Sequence, residues 1–252
     1  MAQDHFSKLA AAYAKSRPTY PEALYDFLAS LPARREVVWD CACGNGQASV
    51  SLAMRFQKVI ATDLSASQIA QAVPRDTITY RVAAAENSGL PGASVDMIAV
   101  AQAFHWLDFD KFFAEVRRVS RPGAVLAVWG YGRHSVSPEI DPVLEKYFAG
   151  IVGPYWPPDA KWLVEKYQTI PFPFEEIAAP RFRMELEWNL NQMLAYWESW
   201  SATQRYREAT GNDPMDLILP ELKKVWGPSE TTKTVVWPLY LRVGRVQEER
   251  SS

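Results

Sequence analysis

Between residues 36 and 133, short apolar runs alternate with segments whose apolar positions recur every three or four residues. Runs of the first kind predict buried strands, and segments of the second kind predict amphipathic helices. Strands alternating with helices over about a hundred residues predict an α/β fold, a doubly wound Rossmann-like parallel sheet with helices on both faces. The predicted strands are 37–39, 59–61, 77–82, 95–100 and 124–129, and the helices are 48–56, 66–72 and 108–119.

The segments that flank this core follow other patterns. Helical spacing of apolar residues predicts N-terminal helices within 4–31. In the C-terminal half it predicts an inserted helical cap, because its pieces are too short for a second independent core. We therefore expect a single domain over 1–252. Its core is about 36–133 plus strands at about 181–188 and 231–246, and its cap is about 138–173 and 189–226.

Composition narrows the class of protein. Twenty-seven basic and 29 acidic residues give a formal net charge of −2, which provides no general attraction to nucleic acid or anionic lipid. No apolar run approaches the roughly 20 residues of a membrane span, and the first residues lack a signal core. Cys41 and Cys43 have no second Cys or His cluster to complete a metal site. We expect a cytoplasmic, metal-free protein without nucleic-acid or membrane partners; its oligomeric state is left open.

A glycine turn follows the first predicted strand. Residues 40–46 read Asp-Cys-Ala-Cys-Gly-Asn-Gly, and Gly44 and Gly46 permit a tight turn that a ligand can approach without meeting a Cβ. The helix that begins after the turn offers unpaired N–H groups. Ligands of open α/β sheets bind beyond the carboxyl ends of the strands, where this turn is expected. Taken alone, the turn is also consistent with a plain strand-to-helix connection.

Two acidic residues decide between two classes of cofactor. Asp63 ends the second predicted strand, where the ribose hydroxyls of a bound nucleotide would lie. A nicotinamide-dependent oxidoreductase would share that feature, but it requires a third glycine where this chain has Ser49. Asp40, directly before the turn, is a poor neighbour for a pyrophosphate and suits a ligand that carries an ammonium and a sulfonium. These differences favour S-adenosylmethionine and keep the oxidoreductase as an alternative.

Several segments then match one family. Residues 37–46 resemble motif I of class I S-adenosylmethionine-dependent methyltransferases, with Ala42 in place of the first glycine. Together with further matching segments, which cover nearly the whole chain, they resemble the trans-aconitate methyltransferase-like branch, the type 11 methyltransferases. Those segments are Tyr13 to Pro21, Ala85-Glu86, Leu90-Pro91, 94–96, 103–106, 118–129, 200–206 and 237–239.

The resemblance implies methyl transfer from S-adenosylmethionine to a small-molecule acceptor, with S-adenosylhomocysteine as coproduct. It places Gly44 and Gly46 around the methionine part of the cofactor and Asp63 at the ribose. Many members carry an Asp at the position of Ala84, so we expect Glu86 to take over the contact with the adenine amino group. The other implied cofactor-binding residues are Asp40 and Ala42 in the turn, Leu64 and Ala85 at the adenine, Gln102 at the methionyl end, and Tyr13 and Arg17 closing over the cofactor.

The resemblance also points to a catalytic candidate and an acceptor. His105, after the fourth predicted strand, is expected to face the transferring methyl and to orient or deprotonate the acceptor; a structural pair with Trp106 is the alternative. A carboxylate oxygen is the expected nucleophile, because it is ionised at neutral pH and needs no base. A non-catalytic S-adenosylmethionine-binding regulator is the alternative function. Candidate cations for such an acceptor are Arg17, Arg133, Arg205 and Arg207.

Overall fold

The computed structural model describes residues 18–247. The roles expected for Tyr13 and Arg17, and the first N-terminal helix, lie outside these residues. Among the described helices, none has both the length and the apolar character of a membrane span.

The described chain divides into two compact units. The first, here called the sheet unit, comprises Tyr20–Tyr131, Lys161–Phe182 and residues 239–247. The second, here called the helical unit, comprises residues 18–19, Gly132–Ala160 and Arg183–Pro238. The assignment of one domain with a cap over 138–173 and 189–226 stays a prediction.

Parallel strands form the centre of the sheet unit, in the order β3-β2-β1-β4-β5. The second half of β8 pairs antiparallel with β5, and the two-residue strand β6 pairs with β8. This arrangement confirms the predicted Rossmann-like sheet. The strands are β1 (Val37–Cys41), β2 (Lys58–Asp63), β3 (Ile78–Val82), β4 (Val95–Ala101), β5 (Ser120–Tyr131), β6 (Glu175–Glu176), β7 (Arg183–Trp188) and β8 (Lys233–Arg245).

Nine α-helices accompany these strands within the described residues. Ser65 caps one of them, because its hydroxyl accepts a hydrogen bond from the backbone N–H of Gln68. The helices are α1 (Glu22–Ala29), α2 (Gln47–Leu52), α3 (Ala66–Ile69), α4 (Phe109–Val119), α5 (Asp141–Glu145), α6 (Lys161–Val164), α7 (Leu190–Glu198), α8 (Ser201–Thr210) and α9 (Leu219–Trp226).

The core of the sheet unit explains why its strands were predictable. The first six residues of β4 are buried, as expected for a strand covered on both faces. Helix α4 packs its apolar face, with Phe112 and Val116, against this core. A continuous apolar run is the sequence pattern that such burial requires.

The helical unit departs further from the sequence prediction. Helical spacing over 191–210 predicts one helix, but the structure has two, α7 and α8, because Trp200 between them has an extended backbone. The hydroxyl of Thr203 donates to the carbonyl oxygen of Trp197 at this break. Strand β7 pairs with residues 233–238 of β8, and α5 continues as a π-helix over Lys146–Ile151.

Candidate active site

The carboxyl ends of β1, β2, β4 and β5 meet at one edge of the sheet unit. Asp40 on β1 is in register with Ala61 on β2 and with Ala99 on β4. Strand β1 therefore lies between β2 and β4, and the strand order reverses at this point. Such a reversal is where open α/β sheets bind ligands.

The turn after β1 has the backbone that its glycines allow. Gly44 and Gly46 have φ angles of 56° and 83°, and Ala42 shares the left-handed region at 54°. A Cβ on Gly46 would collide with the ring of Tyr80 on β3. Ala42, which replaces the first glycine of the motif, thus has a conformation that glycine adopts more readily.

Asp63 holds this turn against β2. Its Oδ2 accepts a hydrogen bond from the backbone N–H of Gly44 and its Oδ1 accepts one from that of Ser65, both at 2.8 Å. Each carboxylate oxygen can accept a further bond. Asp63 therefore organises the glycine turn and keeps acceptor capacity for hydroxyl groups. Leu64, the next residue, is 73% exposed, which excludes a place in the core.

Asp40 is a fully buried carboxylate beside the same turn. Its Oδ2 accepts a 2.5 Å hydrogen bond from the hydroxyl of Ser49, whereas its Oδ1 has no partner among residues 18–247. Burial, with a contribution from the charge of Asp63, raises the pKa of Asp40 to about 7. A buried carboxylate oxygen without a donor is a binding site for a cationic or hydrogen-bond-donating group.

The loop after β3 is fixed by helix α4. Ala85 is buried, and the Glu86 carboxylate accepts a hydrogen bond from the backbone N–H of Asp108. Two residues on, the backbone N–H and the hydroxyl of Ser88 both donate to Glu115 on α4. Burial opposes the ionised form of Glu115, but hydrogen bonds from Arg118 and Ser88 prevail and lower its pKa to about 2.

Gln102 extends the pairing of β4 with β5 through its side chain. Its Oε1 accepts from the backbone N–H of Tyr131 at 2.7 Å, and its Nε2 donates to the Tyr131 carbonyl oxygen at 3.1 Å. Its backbone is left-handed, with φ 55°. Non-glycine residues in this region are uncommon and cluster at functional sites. A direct role of Gln102 at the methionyl end stays a prediction.

His105 lies in a short 3₁₀-helix after β4, with only 6% of its surface exposed. Its Nδ1 lies 3.0 Å from the hydroxyl of Tyr167. The ring centroid of Trp106 lies 4.7 Å from that of His105, so the structural pair considered from the sequence does form. The contact with Tyr167 shows that the histidine also has a polar partner.

Comparison with known proteins identifies the family. The model of the methyltransferase domain matches residues 39–128. A Dictyostelium discoideum protein named as a methyltransferase is 35% identical over 225 residues, covering 88% of this chain and 84% of the relative. The solved structure described as a type II methyltransferase from Anaeromyxobacter dehalogenans is 44% identical, with a TM-score of 0.87, and the match covers 92% of this chain and 99% of that one.

The chain belongs to the class I S-adenosylmethionine-dependent methyltransferases. The methyltransferase uses S-adenosylmethionine as methyl donor, and the oxidoreductase alternative is thereby set aside. A Mycobacterium tuberculosis protein named as a methyltransferase is 38% identical over 128 residues, but the match spans only 51% of that protein. Membership of the trans-aconitate branch stays a prediction.

The residues of the methyltransferase fit this cofactor. The ammonium of S-adenosylmethionine suits the unpartnered Oδ1 of Asp40, since a cation offsets the cost of burying a carboxylate. The acceptor capacity of Asp63 suits the ribose hydroxyls, and exposed Leu64 suits the apolar face of adenine. When bound, the cofactor supplies an activated methyl group on sulfur.

Three tyrosines of this methyltransferase were missed by the sequence prediction. Buried Tyr20 packs edge-on against Trp129, with ring centroids 5.7 Å apart, and contacts Tyr131 at the end of β5. Tyr167 reaches His105 from a segment assigned to the cap. Tyr20 lies within a segment that resembles the family, so the sequence offered a signal for it. Tyr167 lies in a segment without a motif, and it is 62 positions from His105 in the chain, so the sequence offered none.

Proposed function

We propose that this methyltransferase transfers the methyl group of S-adenosylmethionine to a carboxylate oxygen of a small molecule. The single observation that supports the carboxylate is the burial of Tyr20 and Tyr167, which are 7% and 0% exposed. Burial raises the pKa of Tyr20 and of Tyr167 well above the usual tyrosine range. At neutral pH these hydroxyls are therefore hydrogen-bond donors and do not remove protons.

A phenol or an ammonium acceptor must lose a proton before or during methyl transfer, whereas a carboxylate is already ionised. Hydroxyl groups that keep their proton at neutral pH cannot take one from a phenol, so they do not activate such an acceptor. Ion pairs within the helical unit bear on the arginines that the sequence suggests as cations for an acid. Arg207 is neutralised by Glu198 and Asp213, and Arg133 by Glu145. Exposed Arg205 has no ion pair within the described residues and is the remaining described candidate.

The main catalytic task of the protein is to align the methyl donor with the acceptor. Methyl transfer from a sulfonium is an in-line displacement, and orientation of the two reactants supplies a large part of the rate enhancement. In this proposal Asp40 binds the ammonium, Asp63 binds the ribose hydroxyls, and the loop of Ala85 and Glu86 binds the adenine. Gly44 and Gly46 let the turn approach the cofactor.

The test is release of S-adenosylhomocysteine with a panel of carboxylic acids, phenols and amines. We expect turnover with small di- or tricarboxylic acids, and a methyl ester that mild alkali hydrolyses. Turnover with phenols or amines alone refutes the carboxylate. Binding of S-adenosylhomocysteine without turnover on any acceptor favours a non-catalytic regulator.

A further inference from the structure

Tyr167 lies in a strained turn of the sheet unit. The sequence pattern predicts one helix over 159–169, but the structure has a 3₁₀-helix over Pro158–Ala160 followed by α6. Lys166 and Tyr167 after α6 have left-handed φ angles of 57° and 60°. Two consecutive non-glycine residues in this region are unfavourable unless their surroundings hold them there. The turn therefore needs a stabilising partner.

Arg242 on β8 supplies that partner. Its buried guanidinium donates to the carbonyl oxygens of Tyr167 at 2.8 Å and Ile170 at 2.7 Å. The same group forms an ion pair with Glu176 at 2.6 Å, and its Cζ lies 4.5 Å from the ring centroid of Phe172. Backbone and side chains of this segment are thus fixed at several points, which places the ring of Tyr167 with little freedom.

The fixed ring points its hydroxyl at His105. A Cβ added to Gly130 of β5 would lie 2.8 Å from the Tyr167 oxygen, so the glycine makes room for it. Tyr167 is fully buried, and within residues 18–247 its hydroxyl has one hydrogen-bond partner, Nδ1 of His105 at 3.0 Å. If Nδ1 carried the proton and donated, the tyrosine O–H would be buried without an acceptor, which is costly. Tyr167 therefore donates and Nδ1 accepts.

We propose that Tyr167 is a positioning residue that fixes His105 as the Nε2–H tautomer, so that His105 meets the methyl acceptor as a neutral hydrogen-bond donor and not as a base. The inference rests on the proposed function, because a carboxylate acceptor needs a donor and no base. The tautomer itself follows from the contact with Tyr167 and is measurable without any acceptor.

The direct test is the ¹⁵N NMR spectrum of protein labelled in its histidine rings. The spectrum contains an internal reference, because buried His134 accepts a hydrogen bond at Nε2 from the indole N–H of Trp197, 3.4 Å away. An indole nitrogen only donates, so neutral His134 carries its proton on Nδ1. We expect opposite tautomers for His105 and His134, with the His105 signals assigned by their loss in His105→Gln.

Two variants distinguish the effect of the Tyr167 hydroxyl on His105 from the effect of removing any buried tyrosine hydroxyl. Tyr167→Phe should release His105 into a mixture of tautomers. Tyr147→Phe, which removes another buried tyrosine hydroxyl bonded to Thr203, should leave the His105 signals unchanged. A proton on Nδ1 of His105 in the wild-type protein overturns the proposal, as does a Tyr167→Phe spectrum identical to that of the wild type.

A kinetic comparison tests the donor role. The amide of Gln retains an N–H at the position of Nε2, whereas Met retains only bulk. We expect His105→Gln to keep kcat/KM on the acid acceptor within about tenfold of wild type, and His105→Met to lose at least another tenfold. Equal loss in both variants overturns the donor role. If no acid is methylated, the proposed function fails, and the NMR measurement still decides the tautomer.

Discussion

Ser49 donates a 2.5 Å hydrogen bond to one oxygen of the buried Asp40 carboxylate, while the other oxygen has no partner among residues 18–247. The protein thus keeps an ionisable carboxyl group in its interior with one of its two oxygens unpartnered. Such a group lowers stability unless a ligand compensates it. The arrangement suits a cation-binding position that is formed before the cofactor arrives.

Asp40→Asn should therefore stabilise the protein without cofactor and weaken cofactor binding. The folded-state pKa of Asp40 is raised from 3.8 to about 7, so its contribution to stability is full below pH 3.8 and is lost as pH rises through 7. The stability difference between Asp40→Asn and wild type should widen by up to roughly 4 kcal/mol across that window. Urea unfolding at pH 4.5, 6 and 8 measures it.

Calorimetry of S-adenosylhomocysteine should show about tenfold to hundredfold weaker binding to Asp40→Asn, because a charge-assisted bond to its ammonium is weakened. Asp76→Asn, at an exposed position before β3, is the control, and it should change neither the free energy of unfolding nor the affinity for S-adenosylhomocysteine. A constant stability difference across the three pH values would contradict the raised pKa.

The contribution of His134 to the free energy of unfolding should depend on pH in the opposite direction to that of Asp40. Burial, together with neighbouring Arg133, lowers its pKa from 6.5 to about 3. The unfolded chain then binds a proton that the folded chain does not, so stability is full above pH 6.5 and is lost as pH falls towards 3. His134→Gln keeps an acceptor for Trp197 and should remove this loss of stability, which amounts to about 3 kcal/mol between pH 7 and pH 4.

Unfolding of both proteins between pH 7 and pH 4 measures that difference. Parallel stability curves for wild type and His134→Gln would show that another group causes the acid sensitivity.

Asp63 should couple the shape of the glycine turn to cofactor affinity. Asp63→Ala removes the acceptor of the Gly44 and Ser65 N–H groups, and in our proposal also that of the ribose. Each bond to an ionised acceptor contributes about 1.5–3 kcal/mol at most. We expect S-adenosylhomocysteine to bind at least tenfold more weakly by calorimetry. Asp76→Ala removes the same charge at an exposed position, and an affinity loss of equal size there would exclude a specific role.

Glu115 should stabilise the loop of Ala85 and Glu86, which is proposed to bind the adenine, through its hydrogen bonds with Ser88. Glu115→Gln exchanges the ionised acceptor of Ser88 and Arg118 for a neutral amide, which should cost about 1–3 kcal/mol of stability. Since Ser88 follows Ala85 and Glu86 in one loop, we also expect weaker S-adenosylhomocysteine binding. Glu208→Gln, on the exposed face of α8, is the matched control. Lower stability with unchanged affinity would confine Glu115 to a structural role.

The strands of the sheet unit were predictable because burial on both faces leaves continuous apolar runs, and the cap at Ser65 because its signal is local. The turn at Lys166 and Tyr167 was not predictable, since neither residue marks a left-handed backbone. What holds it is Arg242, which is 75 positions from Tyr167 in the chain. The hydrogen bond from Ser49 to Asp40 was not predictable either. In the sequence Ser49 shows only that the third glycine is absent, because its hydroxyl reaches Asp40 only once the turn has folded.

The fate of the transferred methyl group distinguishes a carboxylate acceptor from a phenol or an amine. The protein is incubated with S-adenosylmethionine carrying a ¹³C-labelled methyl and with a mixture of small acids, phenols and amines, and the products are examined by NMR and mass spectrometry before and after mild alkali. We expect the label to appear in a methyl ester, alkali to release it as methanol, and Asp63→Ala to slow formation of the ester. Label found only in alkali-stable ethers or methylamines would contradict it.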